Sequence, residues 1–244
     1  MTTIVTAFLK DINKRKDMNT ERYIENGKII VRLDIPKVIF INEELIPELR
    51  EHANQENTHF IPIKKEDIYL YEYIDNVENE WNTENSNKDT IDYMFLICNK
   101  TEYMREAVEL DYFGIGDTGQ FMWIDFGINY IFKLSKEEFE AKVLNAFCSV
   151  YNSVRIAAIW NLNHEINIDI YRTVAWYFAG GTFGGDKKNL LIFADKTKQK
   201  CIQIIKEKNR IMWEVNVWYL VYKENKDLFY PYYCDHNESM FTNY

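Results

Sequence analysis

Positive charge is scarce in this chain of 244 residues: 29 basic side chains face 38 acidic ones, a formal charge of −9 with a pI near 5.1. General attraction to nucleic acid phosphate is therefore not expected. Histidine is also rare, and His52, His59, His164 and His236 show no short-range pairing with one another or with a cysteine, which argues against a zinc site. The four cysteines, Cys98, Cys148, Cys201 and Cys234, lie far apart with no Cys-x-x-Cys pair, so reduced thiols are expected. No apolar run approaches the roughly 18 to 20 residues needed to cross a bilayer. The opening Met1 to Lys10 lacks a basic n-region and a small-residue cleavage site, so the expectation is a soluble, unprocessed, cytoplasmic protein without a transmembrane segment. Hydrophobic residues, in contrast, make up 47% of the chain and aromatics 16%. That excludes disorder as the main state and suits one medium globular domain or two small ones.

The apolar runs are short and widely spaced. Thr3 to Leu9 is rich in β-branched and aromatic residues and reads as a buried strand, followed by a polar loop from Lys10 to Asn19. Lys37 to Ile41 lies between Pro36 and Asn42-Glu43 as a second strand leading into a helical stretch, Glu44 to His52, and Thr58 to Ile63 reads as a third strand. Strand, helix and strand at roughly 20-residue spacing is the order of βαβ units. Asp75 to Asp89 is polar and predicts an exposed loop. Asp92 to Leu110 suits a helix ended by the three glycines between Asp111 and Gln120, and Phe121 to Ile124 predicts a short buried strand. Helical periodicity recurs over Lys136 to Val150 and Ala194 to Lys208. Ile211 to Tyr222 is apolar on all sides, and periodicity cannot choose between helix and strand there. No internal repeat is present.

Four places could carry chemistry. Phe121-Met-Trp-Ile-Asp-Phe-Gly-Ile128 delivers Asp125 at the carboxyl end of a strand, where ligands of open α/β sheets collect. There an acid can hold a divalent cation or a ribose hydroxyl, or merely cap the next turn. Gly180-Gly-Thr-Phe-Gly-Gly185 follows the strand-like Val174 to Phe178; its paired glycines predict a ligand-facing loop, with a plain hairpin turn as the alternative. It ends in no Gly-Lys-Ser/Thr and matches the dinucleotide fingerprint poorly. Glu214, opening an apolar stretch beside Trp213, must be paired, protonated or functional if it is buried, and is ordinary if it faces solvent in a first helical turn. Asp235 and His236 follow an aromatic run, where a lone His is usually ordinary surface.

In combination, the opening Ile4 to Phe8, the Asn99-Lys100 pair, Trp123-Ile-Asp-Phe-Gly127, the Gly180 to Gly185 segment, Trp213-Glu214 and Tyr233-Cys-Asp-His236 resemble the HtrL/YibB family. That family is associated with bacterial surface polysaccharide gene clusters and is similar to GT-A glycosyltransferases. The resemblance runs along most of the chain and implies one GT-A-like α/β domain over 1–244, with a mainly parallel central sheet flanked by helices. It implies a nucleotide-sugar-dependent glycosyltransferase, with a UDP-sugar as donor and a glycan or small hydroxyl compound as acceptor. Thr6, Ala7 and Phe8 would line the nucleotide site, and Lys100 would neutralise donor charge. Gly180, Gly181, Gly184 and Gly185 would meet donor sugar or acceptor. Asp125 and Glu214 would be catalytic, and Asp125 and His236 would hold Mn²⁺ or Mg²⁺. The sequence departs from the family pattern at Gly127, where a second Asp is expected. A non-catalytic nucleotide-sugar or carbohydrate binder of the same fold is the first alternative, favoured by that missing acid. A phosphate- or glycoside-cleaving hydrolase ranks third, because no closely spaced acid or His cluster is present.

Overall fold

The computed structural model describes residues 1–13, 18–78, 81 and 88–244. The predicted Asp75–Asp89 loop thus lies partly outside the described residues. Its described start belongs to a 3₁₀ helix, Tyr69–Asn76, and Trp81 donates its indole N–H to the Ile211 carbonyl at 3.0 Å.

In chain order the strands are β1 (Thr2–Phe8), β2 (Lys37–Ile41), β3 (Thr58–Pro62), β4 (Gln120–Ile124), β5 (Val154–Ala158), β6 (Phe178–Asp186) and β7 (Phe229–Tyr233). The helices are α1 (Thr20–Val31), α2 (Ile46–Arg50), α3 (Ile91–Cys98), α4 (Lys100–Leu110), α5 (Asn129–Phe132), α6 (Lys136–Phe147), α7 (Lys187–Lys208), α8 (Glu214–Glu224) and α9 (Ser239–Thr242). The seven strands among the described residues form one sheet in the order β3-β2-β1-β4-β6-β5-β7. Six run in one direction; β6 alone is antiparallel to both its neighbours, β4 and β5. The α/β fold with a mainly parallel sheet flanked by helices is therefore as expected, and β1, β2 and β4 are adjacent inner strands.

Alternation along these strands builds the layers. Val5, Val38, Phe40, Phe121 and Trp123 point into the larger core, shared with α3, α4, α7 and α8. Ile4, Met122 and Ile124 point the other way, onto the layer of α6 and α9, while Phe8, Ile39 and Ile41 meet α1 and α2. Burial on both faces explains why these strands read as unbroken apolar runs.

Several local expectations are revised. The Asp92–Leu110 helix is two helices, α3 and α4, meeting at Asn99. The Ala194–Lys208 helix begins earlier, at Lys187, where Asp186 caps it by accepting from the Asn189 amide. The ambiguous Ile211–Tyr222 stretch becomes helix α8, buried from Glu214 through Tyr219 against the sheet and α7. Helix α1 was not anticipated. It starts at an Asn19 cap and carries Gly27 where a Cβ would stand 2.1 Å from the Phe126 ring. A glycine inside a helix lowers its propensity, and here it buys the close approach of α1 to the end of β4.

The largest correction concerns Gly180–Gly185. These residues are the body of strand β6, inserted between β4 and β5, and not a loop. Gly184 and Gly185 pair with Met122 and Phe121. A Cβ on Gly184 would stand 2.5 Å from the Phe121 carbonyl oxygen and 2.1 Å from the Tyr244 hydroxyl. Gly185 has φ 143°, with the Ser153 carbonyl 2.2 Å from where its Cβ would be. Packing within the sheet accounts for both glycines.

Candidate functional site

Parallel strands end together, and their carboxyl ends leave a crevice. Here it is a cavity of about 780 Å³, lined by Ala7 and Phe8 at the end of β1 and by Asp125, Phe126 and Gly127 at the end of β4. Because β6 runs backwards, its first residues reach the same end of the sheet, so Gly180 and Gly181 line the cavity while Gly184 and Gly185 do not. Thr6 is fully buried inside β1 and also lies outside the lining. Asp125, Lys100, Glu214 and His236 all line the wall.

At the base stands a buried ion cluster. Lys100, the first residue of α4, is 6% exposed. Its ammonium lies 2.8 Å from Asp125 Oδ1 and 3.0 Å from Glu214 Oε1, and it donates to the Gly180 carbonyl at 2.9 Å. An ammonium has three donors, and all three are committed to protein oxygens. The expectation that Lys100 directly neutralises the donor is therefore revised: its first partners are the two acids. Burial alone would lower its pKa, but the charges of Asp125 and Glu214 outweigh it and raise the pKa above the ordinary lysine value. One ammonium against two carboxylates leaves the cluster a single net negative charge.

Each acid is positioned by its neighbours. Asp125 Oδ1 also accepts from the Trp123 indole N–H at 2.7 Å, and the Asp125 amide donates to the Gly181 carbonyl at 3.0 Å. Glu214 is the first residue of α8, where the helix dipole favours a carboxylate. Only 4% of it is exposed, and its Oε2 has no hydrogen-bond partner. The Trp213 indole N–H beside it is likewise unpaired. Glycine at 180 makes room for this arrangement, since a Cβ would crowd Glu214 Oε1 and stand 3.4 Å from Lys100 Nζ.

Aromatic rings make the walls, and only some were flagged by the sequence. Phe8 stacks between Tyr23 and Phe126, with centroids 5.0 and 5.6 Å away. On the other side Trp213 meets Tyr93 and Trp176 edge-on, and Trp176 meets the His236 ring at 4.5 Å. Burial lowers the His236 pKa, Asp235 raises it less, and Lys88 lowers it further. Lys88 and the exposed Lys133 add cationic groups to the lining. Tyr23, Tyr93 and Trp176 gave no sequence signal, because each comes from a segment whose direction toward the cavity depends on packing.

The divalent ion implied by the resemblance would rest on Asp125, whose Oδ1 is committed to Lys100 and Trp123, and on His236, whose ring packs edge-on against Trp176, and this donor set does not fit it. The point on which Asp125 and Glu214 converge is filled by the Lys100 ammonium. Gly127, where a second acid is expected, has the Tyr23 ring 2.6 Å from the position of a Cβ. Among the described residues no group of three or more His, Cys, Asp or Glu side chains could hold a metal.

No family model matches the chain. No curated protein matches it either. Among solved structures, it is similar to the 4-diphosphocytidyl-2C-methyl-D-erythritol synthase of Anaerococcus prevotii, at 9% identity and TM-score 0.44 over 96% of this chain and 87% of that one. It is similar to apo mouse xyloside xylosyltransferase 1, at 11% identity and TM-score 0.43 over 95% of this chain and 85% of that one. It is also similar to the apo glycosyltransferase GlyE of Streptococcus pneumoniae, at 12% identity and TM-score 0.44, over 94% of this chain but 44% of that one. Among the described residues no helix is long and apolar enough to cross a membrane.

Proposed function

We propose that this cavity binds a nucleotide sugar, with a UDP-sugar as the leading donor, and transfers its sugar to a hydroxyl of a glycan or small acceptor in glycan or surface polysaccharide biosynthesis. The observation that supports it is the Asp125–Lys100–Glu214 cluster, with Lys100 and Glu214 buried and Asp125 half-exposed, in an aromatic cavity at the carboxyl ends of β1 and β4. Phe8 is itself buried with rings stacked on it, so a base would meet the half-buried rings of the lining, such as Tyr23 and Trp176. Lys133 and Lys88 are the lining cations that can meet phosphate oxygens.

Glu214 has the geometry of a general base. Lys100 holds Oε1 and leaves Oε2 without a partner, so Oε2 can accept the proton of an acceptor hydroxyl as that oxygen bonds to the anomeric carbon and the bond to the nucleoside diphosphate breaks, the released diphosphate meeting Lys88 and Lys133. The Trp213 indole N–H stands ready to donate to a neighbouring hydroxyl. Asp125, held by Trp123 and Lys100, keeps its other oxygen for a hydroxyl of ribose or sugar.

Thermal-shift screening against UDP, GDP, CMP and their sugars tests binding. A ligand at about 100 times its Kd adds roughly 2.7 kcal/mol of stability, which is readily seen in Tm. Turnover then separates enzyme from binder. Glu214→Gln should keep the donor-induced shift and lose about 10² to 10⁴-fold in transfer rate, the usual contribution of a general base. Binding with no transfer to any hydroxyl acceptor in the wild type would favour the non-catalytic reading, and unchanged turnover in Glu214→Gln would remove Glu214 from the chemistry.

A further inference from the structure

We propose that Lys100 is the resident cation of this site and that the donor binds without a divalent metal. The proposal rests on the nucleotide-sugar reading for its ligand, but its core is a statement about this chain's own charges.

Two carboxylates that converge at the base of a phosphate-accepting cavity ordinarily call for a cation between them, since like charges at close range disfavour ionisation of both. In this chain that position belongs to a side chain. Lys100 Nζ is within 3.0 Å of both acids and of the Gly180 carbonyl, so its three donors satisfy three protein acceptors at once. A lysine is a compact point charge on a flexible stem, suited to a gap between carboxylates. Its placement is built in by two further elements: Lys100 is fixed at the start of α4, and glycine at 180 leaves the room that Glu214 Oε1 and Nζ occupy.

An independent observation comes from the opposite side of Asp125. A second acid two residues on, at position 127, would let the end of β4 chelate a metal. The Tyr23 ring occupies that space, 2.6 and 2.8 Å from where a Cβ would be, and Tyr23 is itself stacked on Phe8. Glycine at 127 is thus part of the aromatic wall, which as it stands leaves no room for an acid beside Asp125.

The test has three arms. First, Mn²⁺ binding is followed by electron paramagnetic resonance in the wild type and in Asp125→Asn without nucleotide. The two should be indistinguishable, and Mn²⁺ held by the wild type but lost in Asp125→Asn would overturn the proposal. Second, Lys100→Met removes the cation and leaves the acids, so it should gain about tenfold or more in Mn²⁺ affinity, and the gain should vanish on adding Asp125→Asn. A folded Lys100→Met with no gain would count against Lys100 as the site's cation; if that variant does not fold, the first arm decides. Third, calorimetry with UDP, GDP and CMP compares EDTA with Mn²⁺. Any nucleotide that binds should do so with Kd equal within about twofold in the two conditions. A tenfold or greater gain with Mn²⁺ that Asp125→Asn abolishes would overturn the proposal. If no nucleotide binds in either condition, the nucleotide-sugar reading fails, while the first two arms still decide the question of the cation.

Discussion

Lys37 and Lys100 are both buried and both surrounded by oxygen acceptors, yet their environments push them in opposite directions. Lys37 begins β2 and is fully buried, with its ammonium donating to the Leu33 carbonyl at 2.6 Å, the Thr58 hydroxyl at 3.0 Å and the Asn57 side chain at 3.3 Å. None of these partners is charged. Desolvation therefore dominates and lowers its pKa to about 8. Lys100 has two carboxylates among its three partners, and its pKa is raised. Lys37 sits at the amino end of the parallel sheet, where loops are stitched together; Lys100 sits at the carboxyl end, among the cavity-lining residues. The contrast separates a lysine that closes a seam, where the charge of Asp34 does not outweigh desolvation, from one whose two directly bonded acids do.

Removing Lys100 should break the comparison most severely. Lys100→Met leaves the buried Glu214 and the half-exposed Asp125 without their cation and should cost about 3 kcal/mol in chemical denaturation near neutral pH, the low end of the range for a buried pair because water screens Asp125. Adding Glu214→Gln should recover part of that loss, a coupling that a merely steric effect of methionine would not produce.

Lys37 sharpens the comparison through pH. Its folded pKa of about 8 lies below its ordinary value near 10.5, so between those limits the unfolded chain binds the extra proton and stability rises with pH. Relative to Lys37→Met, the wild type should gain up to about 3 kcal/mol from pH 8 to pH 10.5, since each pKa unit is worth about 1.36 kcal/mol. The difference between the two proteins cancels titrations common to both. Lys100 has the opposite sign: its contribution is fully present below the ordinary lysine pKa and is lost only as pH rises through the higher folded value, so it should stay level from pH 6 to 9. A flat difference for Lys37→Met would show that its charge is better compensated than its neutral partners imply.

The smallest effect on stability is expected from the glycines of β6, but it distinguishes their two ends. Gly184→Val should cost about 1 to 3 kcal/mol through overpacking against Phe121 and Tyr244, with the remaining folded protein binding donor normally. Gly180→Ala should cost about as much or less, because the side chain it displaces, Glu214, can move, but it should disturb the Lys100 cluster and weaken transfer. Equal loss of donor binding in both variants would contradict the division of the strand into a cavity end and a packing end.

These differences also mark what could be read in advance. The inner strands were legible because burial on both faces leaves an unbroken apolar run, as in Val38–Ile41 and Phe121–Ile124. Asp125 was legible for the same reason, as the first acid after such a run. The glycine-rich segment was misread because glycine has low strand propensity, and what stabilises β6 is pairing on both sides and the rings and carbonyls packed against it. Helix α1 and strand β5 were missed in the same way: α1 is interrupted by Gly27 and β5 carries Arg155, whose guanidinium is stacked among Tyr151, Tyr230 and Tyr232.

The fold class, the inner strands and the candidate acids and lysine, Asp125, Glu214 and Lys100, can be read along the chain, because apolar patterning and isolated polar residues are local properties. Only the tertiary structure decided that Lys100 closes on acids 25 and 114 positions away, that an antiparallel strand brings Gly180 beneath them, and that Tyr23 fills the place of a second acid. Charge pairing and steric exclusion act through space between distant segments, and the order of residues along the chain does not encode those distances until the sheet is assembled.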